Sequence, residues 1–275
     1  MNITLKESDL KRKSSEIRLL VLDAIHKAGK GHIGGAYSIV DILVSLFHGG
    51  VLKHDPKNPN WSERDRFILS KGHAGIALYA ILAEAGYFNL DELNKLNNGA
   101  MLGEHPDHLI PGVEVVSGSL GHGLPIATGM ALADKLDNKK NRRTYIILGD
   151  GECYEGSVWE ATFFASHHRL KNLTAIVDRN TLITHGSTED INTQEPFGDK
   201  WESFGWEVFE HDAHDVIGLI DTFNAINKSK SNKPSLLIAK SIKGKGVSFM
   251  ENVAAWHHGG IDDEKYDLAK EELTK

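Results

Sequence analysis

The chain has 275 residues, 40% hydrophobic and 25% charged, with a formal net charge of −7. That balance is ordinary for a globular chain; without a long basic block it argues against a dedicated nucleic-acid binder, and no apolar run reaches the ~20 residues of a membrane span. A single cysteine, Cys153, excludes an intrachain disulfide and fits a reducing cytoplasm.

In chain order, the amino-terminal MNITLKESDLKRKSSEIRLLVLDAI puts charges ahead of its apolar residues and has no secretory-leader core. Ile17, Leu20, Val21, Ala24 and Ala28 recur at helical spacing, so an amphipathic helix is expected to end near Gly29. A second helix is expected over SIVDILVSLFH and a third from KGHAG through IALYAILAEAGYF. Asn89 and Asp91 mark a cap before the short LDELNKL helix. Beyond the loop around EHPDHLIPG, the stretch HGLPIATGMALADKL reads as helix and TYIILGD as strand. YEGSVWEATFFASHHRL then reads as helix and LTAIVDRN as strand. WEVFEH and SLLIAKSI are further strands, with a helical AHDVIGLIDTFNAI between them. Alternating strands and helices with short connections mean an α/β fold of three layers, a parallel sheet with helices on both faces. The continuously apolar YIIL, AIV and LLIA fit burial on both sides. No repeat, low-complexity tract or linker interrupts the chain. Residues 1–275 therefore read as a single domain with an amino-terminal helical segment and a loop-rich carboxy-terminal tail.

GKGHIG, beginning at Gly29, has the glycine spacing of a dinucleotide fingerprint, but a helical pattern precedes it where that fingerprint needs a strand. Histidine is the anomaly, with 15 in all. Gly31-His32, Gly72-His73 and Gly121-His122 are glycine–histidine pairs, and His105 sits in GEHPD. One such histidine would read as structural; several in glycine-rich loops point to a polar site lined with imidazoles. A zinc site from His105, His108 or the His257–His258 pair has no cysteine set or His-Glu helix signature behind it. Cys153 has no base assigned to it and reads as a small residue at a helix start.

Asp150 follows the strand YIIL between two glycines, and Asn180 follows AIVD. In a parallel sheet both strand ends lie on the same edge. Magnesium takes octahedral oxygen ligands, typically few carboxylates plus substrate phosphates. One aspartate, one amide oxygen and a backbone carbonyl would leave positions for a diphosphate, and Gly151 would let it approach. The bland alternative is an aspartate that only caps the following helix.

Read together, GKGHIGG, RDRFILSKGHAGIALYA, GEHPD, SGSLGHG, GDGECYEGSVWEA, FGWEV and KSIKGKGVSFMENVAAWHH resemble transketolase, in order along nearly the whole chain. The resemblance is to its amino-terminal, diphosphate-binding domain, and it implies the thiamine-diphosphate-binding fold with thiamine diphosphate and Mg²⁺, or Ca²⁺ or Mn²⁺ in its place, as cofactors. It further implies that Asp150, the Asn180 side chain and the Leu182 carbonyl ligate the metal and that Gly151 contacts the diphosphate. His73, Lys71 and Lys243 would lie near the phosphates or the sugar channel, with Gly118 and Leu120 touching the cofactor. His32, His105 and His257 match substrate-channel histidines, while Glu155 and Glu160 match acidic residues near the dimer interface that link two active sites; Glu155 is also counted with the cofactor-binding set. Ser119, His122, the HPD triplet and Thr184–Gly186 depart from many relatives, and WHHGG leaves His257 and His258 as alternatives for the inward ring.

The reaction implied is transfer of a two-carbon ketol unit from a ketose or its phosphate to an aldose or its phosphate. The chain stops after the first transketolase domain, so the resemblance implies the amino-terminal subunit of a split enzyme. Its partner would be a carboxy-terminal subunit carrying the pyrimidine-binding and last domains, in an α2β2 assembly, with no nucleic-acid or membrane partner and a cytoplasmic location. Two rivals stand beside this reading: the alpha subunit of a 2-oxo-acid dehydrogenase decarboxylase, and a noncatalytic diphosphate-binding regulatory subunit on the same sheet.

Overall fold

The structure is a computed structural model that describes residues 6–275; the first five residues of the stretch read above for a leader lie outside the described residues. Helix α1 (Glu7–Ala28) buries Ile17, Val21, Ala24 and Ile25 along one stripe and ends at Gly29, whose φ of 77° only glycine adopts freely. The expected second helix is α3 (Val40–Phe47), and a short α2 (Ile33–Tyr37) that the sequence reading did not include breaks off just before it. Ser38 lies at that break and donates its hydroxyl to Asp178 at 2.8 Å. Strand β1 (Arg66–Leu69), which the charged RDRF hid from the sequence reading, leads into α4 (Gly75–Ala85). LDELNKL forms a 3-10 turn whose Asn89 side chain accepts from the Asp91 amide.

The remaining elements follow the expected alternation: α5 (Gly123–Leu136), β2 (Thr144–Gly149), α6 (Gly156–His167) and β3 (Leu173–Arg179). A hairpin unseen in the sequence comes next, β4 (Leu182–Ile183) with β5 (Gly186–Ser187), then the short α7 (Thr188–Ile191) and α8 (Phe197–Ser203). Strand β6 (Glu207–Asp212), α9 (Val216–Lys228) and β7 (Ser235–Lys240) complete the sheet. The expected loop-rich tail is a loop only as far as Asp262, which caps a final helix, α10 (Asp263–Thr274). That helix was masked by its charged sequence; it packs on α1, where Tyr266 stacks on His26 at 4.1 Å.

All five strands of the main sheet are parallel, in the order β1-β2-β3-β7-β6. Successive residues of β2 enter opposite cores. Tyr145 and Ile147 join the side formed by α1, α3, α4 and α9; Ile146 and Leu148 join the side formed by α5, α6 and α8. Both sides being apolar, the strands carry no polar alternation, and the three-layer expectation holds. Among the described residues no helix is long and apolar enough to cross a membrane.

Candidate active site

Four strands release their carboxyl ends into one cavity of about 230 Å³. Lys71 and His73 come from the turn after β1, Asp150 and Gly151 follow β2, Asn180 and Leu182 follow β3, and Lys243 follows β7. This is the edge at which parallel sheets present ligands. The register of β2 on β3 pairs Gly149 with Asp178, so Asp150 and Asn180 emerge side by side.

Asp150 is buried. Its Oδ1 accepts from the Gly151 amide at 2.8 Å, and its Oδ2 accepts from the Thr181 amide at 2.6 Å and faces the Arg179 guanidinium at 3.3 Å. Burial, and then the neighbouring Asp178 charge, push its carboxyl upward against the pull of the Thr181 amide and Arg179. Asn180 Oδ1 accepts from the Leu182 amide at 3.0 Å, and the Leu182 carbonyl accepts from the Lys243 ammonium at 3.1 Å. A cationic group therefore already rests on one of the three oxygens implied as metal ligands. Gly151 is required here, since a β-carbon would stand 2.4 Å from Ile183 Cγ2. A carboxylate, an amide oxygen and a carbonyl form the hard-oxygen set that Mg²⁺ or Ca²⁺ takes, so the residues present fit such an ion.

Behind this edge Asp178 organises the floor. It is wholly buried, and Lys71 Nζ (2.5 Å), Asn180 Nδ2 (3.0 Å), Ser38 and Ser241 all donate to it. Burial alone would raise the Asp178 carboxyl; the Lys71 ammonium overrides that and holds it below its usual range. Lys71 also donates to the Gly35 carbonyl at 2.9 Å, so it charges the cavity while fixed from behind. Glu152 is buried too, accepting from Ser70 and from the Gly121 and Gly149 amides. Arg179 joins Asp150 to Gln194, Glu189 and Glu195, tying the α7–α8 segment to the site.

The histidines form a fan along the other wall. His73 stacks on His257 at 5.3 Å, His32 meets His257 edge-on at 5.5 Å, and His105 lies 6.4 Å from His32 between ring centroids. Gly35 makes room for His73, whose Nε2 would stand 3.3 Å from a β-carbon there. Lys243 donates to His257 Nδ1 at 2.8 Å, which leaves the ring proton on Nε2. Burial and then the Lys243 charge press His257 to about 3; burial and then His258 press His32 to about 4. His73 is lowered as well, by burial first and then Lys71, and Lys243 falls to about 8 through burial and then Lys71. At neutral pH His32, His73 and His257 are thus uncharged imidazoles, while two lysines favour an anion.

Of the residues implied by resemblance, the structure brings Lys71, His73, Leu120, Asp150, Gly151, Asn180, Leu182, Lys243 and His257 to one cavity. His257 is the ring that lines it; His258 points to an exposed position beside Glu104. Gly118, at φ 133°, packs under the His105 ring rather than lining the cavity. Glu155, at the N-cap of α6, and Glu160 within it are both exposed; the cavity is lined by Glu152 and not by Glu155, which was counted with the cofactor set. Cys153 is buried, and burial first drives its thiol far up, so it is no nucleophile. Asp178, Glu152, Arg179 and Gln194 were missed. Asp178 had a signal, since two residues before Asn180 on a strand means the same face.

A parallel sheet with an oxygen-rich clamp, two fixed lysines and a row of imidazoles at its carboxyl edge defines an α/β protein whose site suits an anionic cofactor. Residues 10–274 match the family described as transketolase, thiamine diphosphate binding domain. The chain belongs to that family. It is 43% identical to a 6-deoxy-6-sulfo-D-fructose transketolase subunit of a Clostridium species, over 98% of both chains. It is 40% identical to one of the subunits of the apulose-4-phosphate transketolase of Phocaeicola vulgatus, over 97% of this chain and 94% of that one. The crystal structure of transketolase from Campylobacter jejuni superimposes with a TM-score of 0.92 at 32% identity, over 98% of this chain but 43% of that one. The chain therefore spans nearly all of the two subunits and less than half of the single-chain enzyme. The decarboxylase and regulatory-subunit rivals gain no support from these matches.

Proposed function

We propose that this chain is the cofactor-binding subunit of a two-chain transketolase that transfers a two-carbon ketol unit from a ketose to an aldose. The carrying observation is the convergence of Asp150, Asn180 and the Leu182 carbonyl beside Lys71 and Lys243 at one sheet edge. Asp150, Asn180 and Leu182 would ligate Mg²⁺, and Gly151, His73 and the two lysines would receive the diphosphate. Bound thiamine diphosphate supplies the nucleophilic carbon for carbon–carbon cleavage. The chain's own part is to orient the cofactor, keep Nε2 of His257 as a donor, and offer His32 and His105 to sugar hydroxyls. Imidazole suits that task because it can both donate and accept a hydrogen bond.

Both of these shorter relatives act, by their names, on sugars with an anionic group, a sulfonate or a phosphate. A donor with an anionic group is accordingly the substrate class proposed here. The naming of these relatives as subunits supports a partner chain, proposed here to carry the pyrimidine-binding and carboxy-terminal domains. Exposed Leu136, Phe163 and Phe164 on α5 and α6 supply apolar surface for association, with two copies of each chain as the proposed assembly. Glu155 and Glu160, on the same helix, would face that interface. A cytoplasmic location accords with the lone buried cysteine.

The test is calorimetry of thiamine diphosphate on the two-chain complex, with and without Mg²⁺, beside a ketol-transfer assay. Mg²⁺-dependent binding that is lost in Asp150→Ala supports the reading. Binding indifferent to both, or full turnover by this chain alone, would sink it.

A further inference from the structure

Sharing His32 with the histidine fan is a cluster whose other two members, Glu104 and His258, the proposed chemistry does not use. His32 Nδ1, Glu104 Oε1 and His258 Nε2 converge, each within 4.8 Å of the other two. Glu104 Oε1 stands 3.1 Å from His258 Nε2 and 3.3 Å from His32 Nδ1. His32 Nδ1 is buried yet makes no hydrogen bond, so a lone pair or proton faces Glu104 without being satisfied. Among the described residues no lysine or arginine pairs with Glu104; its ionic neighbours are these two imidazoles. The three side chains come from three segments, two of them clipped together beside the ligands. Gly31 and Gly259 exchange backbone hydrogen bonds of 2.9 and 3.0 Å, with His32 and His258 as their immediate chain neighbours.

We propose that His32, Glu104 and His258 form a binding site for a zinc-class divalent cation, held beside the cofactor cavity. Two imidazoles and one carboxylate are a zinc-type donor set, and three protein ligands leave one position open for water or a sugar hydroxyl. The hard-oxygen set at Asp150 prefers Mg²⁺ or Ca²⁺, so ligand chemistry sorts the two kinds of ion. Because His32 also meets His73 at 5.4 Å and His257 at 5.5 Å, an ion on it takes one ring out of the fan. The cation would thus act as an inhibitor of sugar binding.

The full chain is titrated with Co²⁺ at pH 7.5, followed by its visible absorption, and the bound Co²⁺ is then displaced with Zn²⁺. One saturable equivalent is expected, displaced by one equivalent of Zn²⁺. Glu104→Gln and His258→Ala each weaken binding tenfold or more, whereas Asp150→Ala keeps the band. Circular dichroism verifies the fold of each variant. No saturable band, or affinity unchanged in both cluster variants, overturns the site. A second arm rests on the proposed function: in the two-chain enzyme Zn²⁺ raises KM for the ketose, and Glu104→Gln escapes. Equal zinc sensitivity in the two enzymes also overturns the proposal. If the complex shows no ketol transfer at all, the proposed function fails while the Co²⁺ band still decides the ion site.

Discussion

The two walls of the cavity solve opposite problems. Around Asp178 every charged or polar atom meets a partner, and the buried ions are held as ions: carboxylate against ammonium, carboxylate against guanidinium. Along the histidine fan burial wins instead, and His32, His73 and His257 are kept neutral against one another and against Lys243. The first wall is a fixed charge template suited to a diphosphate and its cation. The second is a set of weakly anchored donors and acceptors suited to hydroxyls that must come and go. Damage to the first should therefore read out in binding and stability, and damage to the second in turnover.

The comparison breaks most visibly at Asp150. Asp150→Ala removes the clamp's only carboxylate and leaves Arg179 facing it with one carboxylate fewer. Mg²⁺-dependent thiamine diphosphate binding by the two-chain complex should weaken by about a thousandfold or more, roughly 4 kcal/mol by the tenfold-per-1.4 rule. Asp178→Ala should come next. It strands a buried Lys71 ammonium and should cost about 3–5 kcal/mol of unfolding free energy, measured in urea. Adding Lys71→Met should restore part of that loss, because the stranded charge goes with it. At the fan, His257→Gln should cut ketol transfer by roughly a hundredfold while shifting unfolding free energy by only about 1 kcal/mol or less. Loss of stability as large as that of Asp178→Ala would show the two walls to be one.

The smallest effect sharpens the contrast by pH. His257 sits at about 3 in the folded chain against an ordinary value of 6.5. As pH falls below about 6.5, the unfolded chain takes the proton first, so stability drops through that point and continues to drop toward pH 3. The apo chain carrying His257→Gln should lose about one proton from this slope, read as unfolding midpoint against pH between 7 and 4. Asp178 runs by a different route to the same direction. Its lowered carboxyl contributes fully above its ordinary range, and that stability goes as pH falls through the folded value. An unchanged slope in the histidine variant would put the acid sensitivity on the carboxylates and the other lowered imidazoles, His32 and His73.

Most of the sheet was legible because burial on both faces writes unbroken apolar runs, as in YIIL and LLIA. Strand β1 was not, since its apolar FIL is only three residues after RDR, and an edge strand takes its place from pairing with β2 rather than from its own pattern. Helix α10 escaped for a related reason. DEKYDLAKEELT buries only Ala269 and Leu273, so tertiary packing on α1 supplies what periodicity does not. At the site, Asp150 and Asn180 could be paired from topology alone, because parallel strands end on one edge. The role of Arg179 could not, for its partners Glu189, Gln194 and Glu195 come from a segment whose fold no local signal announced. Likewise the exposed His258 and the inward His257 differ by backbone direction in a short 3-10 turn, which no composition encodes.

The Gly31–Gly259 bridge has a consequence for how the gene can change. Two backbone hydrogen bonds latch one histidine loop to another, so segments more than two hundred residues apart in the chain jointly build the roof of the site. A frameshift or early stop after Lys245 would spare every strand of the sheet and still remove His257, His258 and the latch. Such a product would keep the clamp residues in its sequence, yet lose the roof proposed to hold the sugar together with the core side chains Val247, Met250, Ala269 and Leu273. The segment after Lys245 thus serves the chemistry and the fold together.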